Sequence, residues 1–177
     1  MNRLFRGLLA FLLLASATYA ADDAFFEKTL EQINLQRAKA NLQPVSLDEK
    51  LTRIAGEWAV KNAQADNMMH RKNLNSFMGD FNYSYINENL FYAKSSTGSR
   101  PTPEQVVTAW MNSTGHRRNM LKDRIDRIGL GIAQARDGGY YVVFNGADSH
   151  PPKQDETPAN DQIQSSDGVK FNGIPLR

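Results

Sequence analysis

Trp110-Met111-Asn112-Ser113-Thr114-Gly115-His116-Arg117-Arg118-Asn119-Met120-Leu121 is the most informative stretch of this 177-residue chain. It closes a helix whose start is explicit in the sequence. Thr102-Pro103-Glu104-Gln105 puts a capping threonine ahead of a proline suited to the first turn, and Gln105 completes a capping box. Val106, Val107, Trp110 and Met111 supply the apolar face. Gly115 predicts the break, and His116 to Leu121 predict one further turn. A histidine directly after the glycine can cap or pack there, or serve a site.

Upstream, residues 66–100 have no clear period. They hold His70, several aromatics and the run Ser95-Ser96-Thr97-Gly98-Ser99, with a strand expected around Ile86–Tyr92. Long connections of this kind tend to be functional or mobile. Before them lies the clearest helix. Ser46-Leu47-Asp48-Glu49 reads as a capping box, and Leu51, Ile54, Ala55, Trp58 and Ala59 form one buried stripe. Trp58 reads as core rather than as a ligand platform. An earlier helix runs from Asp22 to about Asn41, capped by Asp22 or Asp23, with Phe26, Leu30, Ile33 and Arg37 on one face.

Downstream the period becomes strand-like. Arg127–Arg136 and Gly139–Asn145 flank Asp137-Gly138, a β-hairpin signature. Gly129 and Gly131 stand two apart on one face and predict a close backbone approach or a bulge. After Ser149 the chain turns polar and proline-rich, so residues 151–177 read as a disordered polar tail.

The first twenty residues have the order of a secretory signal. Arg3 and Arg6 precede the apolar run Leu8 to Leu14, and small residues follow. That run is shorter than the ~20 residues of a membrane span. Cleavage after Ala20 fits best, and after Ala17 is the second option. A short N-terminal anchor is the competing reading. No cysteine is present, so neither lipidation at this leader nor a disulfide framework is expected. Losing residues 1–20 removes two of the 21 Lys and Arg and brings them level with the 19 Asp and Glu. The mature chain is then near neutral and has no basic stripe, which argues against nucleic acid. The expected organisation is 1–20 signal peptide, 21–150 one domain and 151–177 tail. The expected destination is periplasmic or extracellular, with no transmembrane span after cleavage.

Set side by side, these segments resemble the bacterial branch of the CAP superfamily: the cysteine-rich secretory, antigen 5 and pathogenesis-related 1 proteins, also called the SCP domain. Trp110 to Leu121 is similar to that branch's W-x-x-S-x-G-H-x-x-N-[IM]-L signature. Glu88-Asn89-Leu90 resembles its E-N-[LI] segment, and Asn34 to Arg37 the N-x-x-R of its first helix. Leu51 to Ala59 resembles its second helix. Ile128 to Ile132 and Tyr140 to Phe144 resemble its closing strands. The resemblance covers about residues 29–147, in the family's order. It implies an α+β fold, a three-layer α-β-α sandwich around a small, mainly antiparallel sheet. The helices and hairpin read from periodicity are compatible with that architecture but do not dictate it.

The resemblance also implies an open cleft with two histidines and two glutamates, often able to bind a divalent metal. His70 matches the first histidine, Glu88 the first glutamate and His116 the second histidine. The other glutamate of many eukaryotic members is replaced here by Ser113, as is common in the bacterial branch, so His, Glu and His remain. Two imidazoles and a carboxylate suit Zn²⁺ or another divalent cation, with His70 and His116 as ligands. Glu88 could instead orient one imidazole from behind. Ser113 reads more simply as a small residue near a helix end than as a nucleophile. His150 reads as solvated, Arg37 and Asn34 as fixing the first helix, and Asn89 and Asn119 as supports of the cleft. Two functional classes follow. One is a secreted module binding a small molecule, lipid, envelope component or protein, with Phe77, Phe81, Tyr83, Tyr85, Phe91 and Tyr92 lining a surface or packing in the core. The other is a metal-assisted hydrolase acting on an extracellular peptide or envelope polymer. The sequence leaves enzymatic activity open.

Overall fold

The computed structural model describes residues 22–150 and the short strand Val169–Phe171. The expected signal peptide and the rest of the expected tail lie outside the described residues. In chain order the elements are α1 (residues 22–39), β1 (Ser46–Leu47), α2 (Glu49–Ala65), α3 (Ser76–Phe81), β2 (Tyr85–Ala93), α4 (Pro103–Asn112), α5 (Thr114–Met120), β3 (Arg127–Gln134), β4 (Tyr140–Asp148) and β5 (Val169–Phe171).

The strands form one sheet in the order β1-β3-β4-β2-β5. Its long ladders are antiparallel: β3 with β4 through the Asp137-Gly138 turn, and β2 with β4 from Tyr85↔Asp148 to Ala93↔Tyr140. Gly138 takes φ 89°, the positive value that a tight hairpin turn asks of glycine. The short strands β1 and β5 add parallel pairings at the two edges.

Side chains alternate between the faces of the sheet. Ile128, Leu130, Val142, Phe144 and Phe91 point to one face, where Phe25 and Ile33 of α1 and Val106, Val107 and Trp110 of α4 cover them. Trp110 is fully buried, donates from Nε1 to the Leu90 carbonyl at 3.1 Å and leans on Phe144. On the other face, Leu51, Ile54, Ala55 and Ala59 of α2 pack over Ile86, Leu90, Val143 and Ala147. The molecule is a three-layer α-β-α sandwich. Gly129 and Gly131 make the second interface close. A methyl on either would run into the backbone of α2, at Leu51–Thr52 and at Ala55–Gly56. The predicted close approach is therefore helix against strand, with no room for a Cβ.

Three local expectations shift. Asp48, not Ser46, caps α2, accepting from the Leu51 amide at 3.0 Å, because Ser46–Leu47 is drawn into β1 beside β3. In α1 the deepest positions are Phe25, Thr29, Ile33 and Arg37, while Phe26 and Leu30 flank the core. Ile33 and Arg37 stay where the stripe puts them, and Arg37 reaches four carbonyls, those of Gln43, Met120, Lys122 and Ile125, at 2.8 to 3.2 Å. Burial draws this guanidinium's pKa below its usual value, opposed by Asp123. Asn34 grips Val45 through both its amide atoms. Arg37 and Asn34 do fix the first helix. Finally, the break after α4 falls at Ser113, and Gly115 sits inside α5. The Thr102–Gln105 capping box forms as read.

Candidate functional site

Glu88 lies mid-strand in β2. Ile86 and Leu90, two residues either side, pack under α2, so the Glu88 carboxylate faces that layer too. It is 5 % exposed. The segment after α2 is steered towards it. Asp66 ends the helix in a left-handed conformation, φ 46°. Asn62 brackets Met69 by accepting from its amide and donating to its carbonyl, and Trp58 Nε1 donates to the same carbonyl at 2.8 Å. His70 and Arg71 are thus delivered to β2. Glu88 Oε1 lies 2.8 Å from His70 Nδ1 and accepts from the Arg71 amide at 3.0 Å. Glu88 Oε2 is buried with no hydrogen-bond partner among the described residues.

The opposite side of β2 holds α5. Asn89 Nδ2 donates to the His116 carbonyl at 2.9 Å, and Asn119 Nδ2 donates to the Glu88 carbonyl and to Asn89 Oδ1. His116 is fully buried. Asn89 and Asn119 are the structural supports expected from the sequence. The structure joins His70 to Glu88 side chain to side chain. It ties His116 to β2 through its backbone, from the face opposite the Glu88 carboxylate. Ser113 is the hinge between α4 and α5; its carbonyl accepts from the Arg117 amide at 2.8 Å and its side chain makes no capping bond.

The donor types fit a divalent cation, and the buried, unpartnered Glu88 oxygen marks a point that lacks a donor or cation. Among the described residues, the one trio of ligand atoms gathered within 4.8 Å is elsewhere: Asp126, Asp148 and His150. Its charge is already answered. Arg127 pairs with Asp126, Arg124 with Asp148, and Ser149 donates twice to Asp126. Burial alone would raise the Asp148 pKa, but hydrogen bonds from His150, Ser84 and Arg124 bring it below the usual carboxylate value. His150 is exposed, as expected, and leans on Asp148.

Arg71 was not singled out by the sequence reading. Its guanidinium lies 4.6 Å from the Trp58 ring centroid and 5.1 Å from that of Phe77, and it donates to the Ile54 carbonyl at 2.6 Å. Burial lowers its pKa, with Glu88 and Glu57 pulling the other way. Trp58 is correspondingly only part-buried, a partner of Arg71 as much as core. No local pattern announces this sandwich, since its three members come from α2, the loop and α3. The six aromatics weighed as a lining are all buried or half-buried and divide between the two faces. They form no continuous exposed patch.

Among the described residues no helix is long and apolar enough to cross a membrane. A family model described as the Cysteine-rich secretory protein family, CAP, matches residues 30–145. YkwD of Bacillus subtilis (strain 168), an uncharacterised protein, is 32% identical over 116 residues, which is 63% of this chain and 44% of that one. The chain thus spans less than half the length of that curated relative. Among solved structures, an outer surface protein of Borrelia burgdorferi aligns over 70% of this chain and 92% of its own, with 22% identity and a TM-score of 0.59. A cysteine-rich secretory protein of Staphylococcus aureus aligns over 72% of this chain and 39% of its own, with 18% identity and a TM-score of 0.55. These structural likenesses speak for the fold.

Proposed function

The chain belongs to the CAP, or cysteine-rich secretory protein, family, and on that premise we propose that it is an exported module that binds a ligand at the His70–Glu88 pair. The observation that carries this reading is the Glu88 carboxylate. One oxygen is fully used by His70 and the Arg71 amide, and the other is buried without a donor. Leaving a buried acceptor unmet costs roughly 1–3 kcal/mol, more for a charged group. A ligand that brings a donor or a positive charge recovers that energy. A divalent cation such as Zn²⁺ is the simplest such ligand, held by Glu88 Oε2 beside the His70 that the same carboxylate engages. Bound there, it would offer Lewis acidity or anchor an anionic group of a larger ligand.

The protein's own contribution is positional. Glu88 sets the tautomer and the tilt of His70, and the Asn89–Asn119 pair holds α5 against β2. The leader-like residues 1–20 support export. Binding is preferred to hydrolysis because one carboxylate stands in the site, already engaged with His70, and Ser113 occupies the place of a second. The test is zinc titration by calorimetry of residues 21–177, beside His70→Ala and His70→Ala/His116→Ala variants. Saturable binding that both variants lose, with the melting temperature of His70→Ala unchanged, is the expected result. Equal zinc binding by wild type and both variants would place the metal elsewhere and sink the reading.

A further inference from the structure

Asn145 is the direct partner of Glu88 across the β2–β4 ladder. Val143 and Ala147, two residues either side of it, pack under α2, so the Asn145 side chain faces that layer beside the Glu88 carboxylate. The Glu88 carbonyl is taken from outside the ladder by Asn119 Nδ2 at 3.0 Å. Glu88 and Asn145 are thus a pair without mutual backbone bonds, the kind whose Cα atoms lie only ~4.5 Å apart and whose side chains stand closest.

Asn145 is fully buried, and its Oδ1, like Glu88 Oε2, has no hydrogen-bond partner among the described residues. Exchanging its two amide atoms offers no remedy. Nδ2 donates to the Asn87 carbonyl at 3.2 Å, and an oxygen in its place would confront that carbonyl instead. The neighbouring sheet positions bring no side-chain donor. β3 sets Gly129 opposite Asn145, and the flanking rows of this face are Ile86 with Ala147 and Leu90 with Val143. Leu51, Ile54 and Ala55 of α2 cover them.

We infer that Asn145 Oδ1 is a second ligand of the divalent cation at Glu88 Oε2, an inference that rests on the reading of the Glu88 site above and gives it a floor of two oxygens. Two buried acceptors side by side, one of them a carboxylate, are stabilised by a positive charge set between them. Carboxylate and amide oxygens are donors that divalent cations take. The ion approaches from the loop side, where the His70 side chain keeps 17 % of its surface exposed. A lone water is the competing occupant. It would accept from Arg71 Nε, which is also buried and unpartnered, and donate to both oxygens.

The test titrates residues 21–177 with Zn²⁺ by calorimetry, as wild type and as Asn145→Asp and Asn145→Leu variants, and follows the wild-type Asn145 carboxamide by NMR. The Asn145 Cγ and Nδ2 resonances should shift in step with saturation. Asn145→Asp puts a charged oxygen at the same place. It should bind at least tenfold more tightly and gain more melting temperature from zinc than the wild type. Asn145→Leu, similar in size and without an acceptor, should bind at least tenfold more weakly. If Asn145→Leu melts too low to titrate, the other two readouts decide. Zinc binding by the wild type that leaves the Asn145 resonances still, with Asn145→Asp within twofold of wild type, would overturn the role of Asn145 and leave the Glu88 site standing. Absence of binding by both the wild type and Asn145→Asp would sink the two together and leave the gap to a water.

Discussion

Single side chains in this protein do work that their neighbours in sequence do not hint at. Arg37 reads as a residue that fixes the first helix, and it does so fully buried, closing the carbonyl end of α5. Glu88 reads as the glutamate that the family resemblance puts in a cleft, and the structure buries it on the face it shares with Ile86 and Leu90. Asp148 shows how local partners outweigh desolvation. Burial pushes its pKa up, but hydrogen bonds from His150, Ser84 and Arg124 leave it lowered. A carboxylate with a lowered folded pKa adds stability that is present above its unfolded pKa of ~4. That stability is lost as pH falls from there through the folded value. Asp148→Asn should therefore cost about 2 kcal/mol at pH 7 and flatten the acid limb of stability below about pH 4. Urea melts between pH 2.5 and 7 measure both, and parallel curves for the two proteins would show that Asp148 contributes nothing through its charge.

At the scale of elements, most boundaries follow from local chemistry. The Thr102 box, the Asp137-Gly138 turn and the stripe of α2 all stand where the residues put them. The departures share one cause. Ser46 loses the cap of α2 because β3 recruits Ser46–Leu47 as a strand, and at the start of α1 Phe25 and Thr29 lie deeper than Phe26 and Leu30 where the helix packs on the sheet. Each is a tertiary partner overruling a local preference. The interface of α2 with β3 shows the same dependence in reverse. Gly131 costs local stability in a strand, yet nothing larger fits beneath Ala55 and Gly56. Gly131→Ala should destabilise by about 1–3 kcal/mol or more, since the obstruction is backbone. A thermal melt within a degree of wild type would mean that α2 can lift off β3 at little cost.

For the whole molecule, two helical layers share one sheet and no covalent staple. Strands β2 and β4 contribute side chains to both faces, so loss of either layer exposes the other's partners. The two tryptophans sit on opposite faces, Trp110 with α4 and Trp58 with α2. Trp58→Phe and Trp110→Phe variants thus each leave one fluorescent reporter of one layer. In each variant, unfolding followed by fluorescence and by far-ultraviolet circular dichroism should give coincident midpoints, as a single cooperative unit requires. A fluorescence midpoint displaced from the circular dichroism midpoint in one variant would show a layer that melts by itself.

The sequence by itself determined the helices, the hairpin, the need for a core without disulfides and, through the ordered motifs from Asn34 to Phe144, the family and its sandwich. Those properties rest on periodicity, capping and turn chemistry, which act over a few residues, and on motif order along the chain. Only the tertiary structure decided that His70 meets Glu88, that one Glu88 oxygen has no donor, and that Arg71 lies between Trp58 and Phe77. Each of these joins residues distant in sequence through strand register and layer packing, which no local spacing encodes.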